Sequence, residues 1–347
     1  MKRILVIQTA KLGDMVCTTP VFRAIKKNFP DTKLFVIGDS VNKKILQGNP
    51  HIEEYLEYKN VTVSHLRQMK INVAILLNPQ PIILGKMLLA GIPKIIVPKV
   101  RGGYSPYSTK MYRMFSLFTT KVDRHFGKYV PQEYLNMLLP LGINSKDTKK
   151  ELYFSSLSES KANKLLENYT NQFKIIISPS AGNKIKNWGG EKFAKLVDEM
   201  YVKWKPAIFI IGACNDQKEV KEMIDNLSPT TKVVDLSMKL DLEDLKAVIS
   251  KVDMFISVDT GPIYIAEAFD VPTVDIIGPI DESEQPPRGI IHKWVVSSKR
   301  KKPLLYVLNA RIYDVAAAIE STKSISVEMV VNAVESLYVQ LTKNNHV

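Results

Sequence analysis

Apolar residues run along this chain in short blocks separated by polar stretches. In the first half the blocks are RILVI at 3–7, KLFVI at 33–37, NVAILL at 72–77 and KIIV at 94–97. They are rich in β-branched residues and barely alternate, which predicts parallel strands covered on both faces. PVFRAIKKNF at 20–29 has Val21, Ala24, Ile25 and Phe29 on one helical face, with Pro20 suited to an early helical position. The second half repeats the alternation. Strands are expected at 174–178, 207–212, 232–236, 254–258 and 273–277, with helices at 190–204, 216–227, 242–250 and 263–269. Each half therefore reads as its own doubly wound, Rossmann-like α/β unit. The polar stretch 155–172 predicts a helix and an interdomain linker. The expected division is a first domain over 1–160, a second over 173–325 and a closing helix over 326–347. The apolar stripe of that helix leaves open which domain it packs on.

Composition narrows the class. With 45% hydrophobic and 24% charged residues, 347 residues suffice for two cores. The two cysteines, Cys17 and Cys214, are far apart and form no disulfide framework, which favours a reducing cytosol. The N-terminal apolar run is too short for a signal peptide, since Lys11 and Asp14 follow at once. No stretch approaches the roughly 20 apolar residues of a membrane span. Net charge is +13, which implies an anionic partner: nucleic acid, anionic lipid or phosphorylated sugar. The charge is clustered. Residues 86–128 hold nine Lys or Arg against one acid, Asp123, and 293–302 hold five with none.

In open α/β sheets ligands bind beyond the carboxyl ends of strands, so the residues after each strand carry the chemistry. After the first strand comes KLGDMVCTTP at 11–20. Here Gly13 is expected to turn the chain, with Asp14 directly behind it and Thr18 and Thr19 near a helix start. In the second half SVDTGPIYIAEAF at 257–269 places Asp259, Thr260, Gly261 and Pro262 between a strand and a helix. Gly261 permits close backbone approach, and the helix N-terminus favours a phosphate; capping by Asp259 or Thr260 is the alternative. SPSAGNKIKNWGG at 178–190 combines small Ser180, Ala181 and Gly182 with Lys184 and Lys186, which can meet a diphosphate, while Trp188 reads as a packing anchor. In IIGACNDQKE at 210–219, Asn215 or Asp216 caps the next helix, or Asp216 bonds a ribose. No G-x-G-x-x-G follows the first strand, and no P-loop or G-x-S-x-G elbow occurs. No D-x-D pair occurs, and His51, His65, His125, His292 and His346 lack metal-ligand spacing, so neither metal nor cofactor is expected.

Together these segments resemble glycosyltransferase family 9, the lipopolysaccharide heptosyltransferases. KRILVIQTAKLGDMVCTTPVFRAIKKNFPDTKL resembles the family's opening, FISVDTGPIYIAEAFDVPTVDIIGP its donor signature, and SPSAGNKIKNWGGEKFAKLVDEM its phosphate loop. The resemblance implies a GT-B fold: two Rossmann-like doubly wound domains facing across a cleft, the first for the acceptor and the second for a nucleotide-sugar. It implies Asp14 as catalytic base, Lys186 on the donor diphosphate, Asp259, Thr260 and Gly261 at the donor turn, and Asp216 near the nucleotide. Ser180, Ala181 and Gly182 belong to the same donor loop. Lys11, Gly13, Arg101, Lys110 and Arg113 are the acceptor-side candidates. The sequence departs from the family pattern at Tyr264, where histidine is usual, at Ala181, Gly182 and Asn187, and in PIDESEQPPRG.

The expected activity is inverting, metal-independent transfer of a sugar, foremost heptose from ADP-heptose, to a lipopolysaccharide core or related anionic glycan. Asp14 would deprotonate the acceptor, and Lys186, the 181–182 backbone and the 260–263 helix start would stabilise the leaving diphosphate. The protein is expected in the cytoplasm, with peripheral contact at the inner membrane face through the basic segment 86–128 and its aromatics Tyr104, Tyr107, Tyr112, Phe115 and Phe118. The alternatives are a sugar-nucleotide epimerase of similar architecture and a basic nucleic-acid-binding protein.

Overall fold

The computed structural model describes residues 2–344. The first sheet has six parallel strands: β1 (Arg3–Ile7), β2 (Lys33–Gly38), β3 (Glu54–Glu57), β4 (Val73–Leu76), β5 (Lys94–Arg101) and β6 (Thr120–His125), in the order β3-β2-β1-β4-β5-β6. The second has β7 (Lys174–Ser178), β8 (Ala207–Ile210), β9 (Val234–Asp235), β10 (Met254–Val258), β11 (Thr273–Ile277) and β12 (His292–Val296), in the order β12-β11-β10-β7-β8-β9. Both are the 3-2-1-4-5-6 order of doubly wound sheets, with the first strand of each unit at the centre.

The blocks of apolar residues became the inner strands because helices cover both of their faces. Leu5 and Ile7 of β1 are fully buried, in a core with Phe35, Ile37, Ala74 and Leu76. Ile175 and Ile177 of β7 do the same with Ile208, Ile256, Val274 and Trp188. Three edge strands escaped the pattern: EYLE of β3, TKVDRH of β6 and HKWVV of β12. An edge strand has one open side and tolerates charge, so it lacks the continuous apolar run that marks its inner neighbours.

The chain divides into two compact units, and the division differs from the expected one. The first unit is Met1–Tyr153 with Ser283–Gln285 and Tyr306–Ile312; the second takes Phe154–Glu282, Pro286–Leu305 and Tyr313–Val347. The stretch expected to hold a helix and a linker does hold a helix, Ser156–Leu166, but as an integral part of the second unit. Its cap Ser155 accepts from the Ser158 N–H. Ser158 Oγ and Lys161 Nζ both reach Asp244, at 2.7 and 2.8 Å, and fix the helix to its neighbour Leu242–Ile249. The closing helix, Val327–Asn344, packs within the second unit: Val330, Val334 and Leu337 are fully buried in that core, and Tyr338 stacks on Trp204 at 4.2 Å. It does not return to the first unit; its expected last residues, 345–347 with His346, lie outside the described residues.

Strand order reverses between β1 and β4 in the first sheet and between β7 and β10 in the second. The crevice beyond the strand ends at such a switch point is where open α/β sheets bind ligands. The loop after β1 carries Asp14. The loops after β7 and β10 carry Lys186 and Asp259.

Candidate functional site

In the first unit KLGDMV is not a glycine turn. Leu12–Val16 forms a single helical turn, and Gly13 lies buried inside it without a left-handed conformation. The N-cap of this turn is Lys11, which is exposed and makes no side-chain cap. The orphan carbonyls of so short a helix need partners. Thr18 and Thr19 supply them, with Thr18 Oγ1 donating to the Asp14 carbonyl at 2.8 Å and Thr19 Oγ1 to that of Val16 at 2.9 Å.

Asp14 is half-buried, and its Oδ1 accepts from the Tyr134 hydroxyl at 3.1 Å and from Gln285 Nε2 at 3.0 Å. Both donors were missed in the sequence. Tyr134 sits on the helix Val130–Asn136, tied to the end of β6 because Glu133 accepts from the His125 N–H at 2.7 Å. Its ring is fully buried, and that burial, with the nearby Asp14 charge, raises its pKa far above the usual phenol value. It therefore remains a hydrogen-bond donor. Arg124 lies 4.6 Å from the Tyr134 ring centroid and donates to the Leu77 carbonyl and to Asn78 Oδ1, while Asn78 Nδ2 donates to Gln8 Oε1 at 2.6 Å. The ends of β1, β4 and β6 are thus stitched together beneath Asp14.

Gln285 comes from the short segment Ser283–Gln285. It is anchored by Glu284, only 3% exposed, whose carboxylate accepts from Gly127 N–H at 3.0 Å and Val307 N–H at 2.6 Å. Its sequence separation of 271 residues from Asp14 explains why no local pattern reveals it.

In the second unit, Lys186 Nζ donates to Asp259 Oδ2 at 2.5 Å, and the Tyr264 hydroxyl donates to Asp259 Oδ1. Both partners of the ion pair are well buried, with side chains 16% and 7% exposed. Asp259 therefore does not cap the helix Gly261–Ala268, and Thr260 at the N-cap makes no side-chain bond either, with Pro262 in the first turn. The capping alternative falls for both residues. The tyrosine at the family's histidine position is a partner of Asp259. Beside this pair, Asp275 of β11 is completely buried, and neither carboxylate oxygen has a hydrogen-bond partner. Burial, reinforced by the Asp259 charge, pushes its pKa well above the usual range.

The loop after β7 divides its two lysines. Lys186 goes to Asp259, whereas Lys184 goes to a carboxylate network, not to open solvent: it donates to Ser180 Oγ and Asp216 Oδ1 at 2.8 Å, to the Asn215 carbonyl at 2.9 Å and to Glu219 Oε2 at 3.0 Å. Ser180 Oγ also donates to Asp216 Oδ1, and Asp216 Oδ2 accepts from the Ala213 N–H at 3.0 Å, which closes its own turn; as N-cap of the helix Gln217–Asp225 its side chain makes no cap, so the expected capping of the next helix by Asp216 falls. Burial opposes ionisation of Asp216, but its bonds from Lys184, Ser180 and the Ala213 N–H prevail and hold its pKa below the usual value. The Ala181 N–H, expected to face a diphosphate, is committed to Asn187 Oδ1 at 2.9 Å; Gly182 beside it is exposed. Trp188 is the packing anchor expected, its indole N–H donating to the Ile325 carbonyl at 2.8 Å.

Lys11 and Gly13 lie at the short helix after β1, and the other acceptor-side candidates on β5 and the helix Lys110–Phe115. Arg101 is paired to Asp123 at 3.0 Å, and Lys110 and Arg113 lie exposed on the helix Lys110–Phe115. Of the distal basic run, Arg300 is turned inward onto the Gly278 and Ile280 carbonyls and Glu282.

Two such sheets, each with its polar groups beyond the switch point, give the GT-B class of fold. The fold matches the glycosyl transferase family 9 protein of Veillonella parvula (TM-score 0.78, 20% identity, 98% of each chain). It also matches the Escherichia coli ADP-heptose lps heptosyltransferase II (TM-score 0.73, 16% identity, 98% of this chain and 99% of the other). In sequence, the chain is 26% identical over 333 residues to lipopolysaccharide heptosyltransferase 3 of Escherichia coli, spanning 89% of this chain and 95% of that protein. The model of glycosyltransferase family 9 (heptosyltransferase) matches residues 87–305, and the chain belongs to that family.

Proposed function

We propose that the protein transfers a heptose from ADP-heptose to a lipopolysaccharide core or related anionic glycan, with inversion and without a metal. The observation that carries this reading is Asp14, a half-buried acid just beyond the central strand of the first sheet, whose Oδ1 is oriented by two side-chain donors, Tyr134 and Gln285. As base it would take the proton while the acceptor oxygen attacks the anomeric carbon and the nucleoside diphosphate leaves. Lys186 and the N-terminus of the helix Gly261–Ala268, free of any side-chain cap at Thr260, supply positive potential for the leaving group. The chain's similarity to lipopolysaccharide heptosyltransferases supports the sugar and the acceptor class, and its likeness to an ADP-heptose heptosyltransferase supports ADP as the donor nucleotide. The acceptor is a membrane glycolipid in this reading, reached from the cytoplasmic face. Among the described residues no helix is long and apolar enough to cross a membrane.

The test is a binding screen of ADP-, GDP- and UDP-sugars, followed by transfer to core acceptors and determination of the product anomer. Asp14→Asn is expected to bind donor normally and to lose about 10²–10⁴-fold in turnover. Near-normal turnover removes Asp14 as the base. Conversion of a nucleotide-sugar without acceptor returns the epimerase alternative.

A further inference from the structure

The first unit presents a face whose composition its own packing does not require. In the helix Lys110–Phe115 and the turn Ser116–Phe118, the inner side is complete. Tyr112 is buried and donates to the Pro98 carbonyl at 2.7 Å, Ser116 is buried, and Phe115 lies against Gly85, where an added Cβ would meet its ring at 3.1 Å. The outer side should then be polar. Instead it carries Met111, Met114, Leu117 and Phe118, the last two 68% and 75% exposed. The adjoining helix Pro81–Leu89 adds exposed Ile82 and Leu89.

Cations are interleaved with these apolar groups. Lys110 and Arg113 are exposed on the same helix, and Lys99 and Lys121 on β5 and β6. The segment's one acid, Asp123, is already paired with Arg101. The structure also reassigns the aromatics: Tyr112 and Phe115 belong to the core and Tyr107 lies under Arg311, so that Tyr104 and Phe118 alone of the five expected are exposed.

We propose that this face docks on an anionic lipid bilayer, with Met111, Met114, Leu117 and Phe118 entering the headgroup boundary and Lys110 and Arg113 meeting lipid phosphates. It deepens the functional reading above, in which the acceptor is a membrane glycolipid, by assigning the residues that bring the enzyme to it. A second copy is a poorer occupant, because an isologous pair would set Lys110 and Arg113 against their own kind.

The test is flotation of the full chain with vesicles of phosphatidylcholine, with and without about one-third phosphatidylglycerol. The wild type is expected to float with anionic vesicles and about tenfold less with neutral ones. Leu117→Ser with Phe118→Ser should lower partitioning at least about tenfold, with thermal unfolding and nucleotide-sugar affinity unchanged. Lys110→Glu with Arg113→Glu should abolish the preference for anionic lipid. A wild type that stays with the unbound fraction, or a serine double variant that floats equally well, overturns the proposal. So does a dimer in sedimentation velocity that the serine variant dissolves, which would assign the face to a second copy. Nucleotide-sugar affinity is measured without vesicles: its loss alongside intact flotation sinks the donor reading and leaves the docking face standing.

Discussion

The Tyr134 hydroxyl reaches Asp14 across 120 residues of sequence and holds one carboxylate oxygen from a ring with no solvent exposure. Removing that hydroxyl should disturb orientation without disturbing fold. Tyr134→Phe is expected to lower turnover about three- to tenfold, the worth of one hydrogen bond, while donor affinity stays constant. Steady-state kinetics with separate donor titration checks this. Unchanged turnover would mean that Asp14 needs no help from the ring.

Lys186 and Asp259 form a pair that neither can leave cheaply. Lys186→Met keeps the length but strands a buried carboxylate, which should cost about 3 kcal/mol of stability and weaken donor binding. Adding Asp259→Asn should recover most of the stability and none of the affinity. Denaturant melts and calorimetry separate the two effects; recovery of affinity in the double variant would contradict a direct role for Lys186.

Asp275 gives a pH signature of definite sign. Its pKa is raised on folding, chiefly by burial, so the folded chain keeps a proton that the unfolded chain releases. Its contribution is fully present below the unfolded value near about 4 and is lost as pH rises toward the folded value. Asp275→Asn should therefore stabilise increasingly from acid to neutral pH, by up to about 1.4 kcal/mol per pH unit. Melting the two proteins side by side between pH 5 and 8 tests it, and a constant offset would show that Asp275 is ionised in the folded state.

Glu284 joins two backbone N–H groups, of Gly127 and Val307. Glu284→Ala should cost about 2–4 kcal/mol and release Gln285 from Asp14, so turnover falls while nucleotide-sugar affinity persists. Both affinity and turnover falling together would place the segment's importance elsewhere.

Much of this was legible in the amino-acid order because buried parallel strands write themselves as apolar blocks. RILVI and KIIIS each predict a buried parallel strand, and the residues following them predict where chemistry gathers. Asp14, Lys186 and Asp259 stand out for that reason. What the order hides is pairing over distance. Nothing in KLGDMV announces Tyr134 or Gln285, and nothing in SPSAGNKIK tells that Lys184 is spent on Asp216 and Glu219 while Lys186 reaches Asp259. The edge strands β3, β6 and β12 were hidden for a different reason, since one open side removes the need for apolar residues. Asp275 was concealed because a lone acid inside TVDII looks like noise in a strand; only its burial without a partner gives it meaning.

The segments Ser283–Gln285 and Tyr306–Ile312 carry a practical lesson for dissecting this enzyme. A fragment ending at Tyr153 would contain Asp14 and Tyr134 but would lack Gln285 and its Glu284 anchor. Chimaeras that exchange the first unit between relatives by a single junction would part Asp14 from the Gln285 that holds it here. A faithful exchange needs three pieces of chain moved together, although two of them amount to a handful of residues.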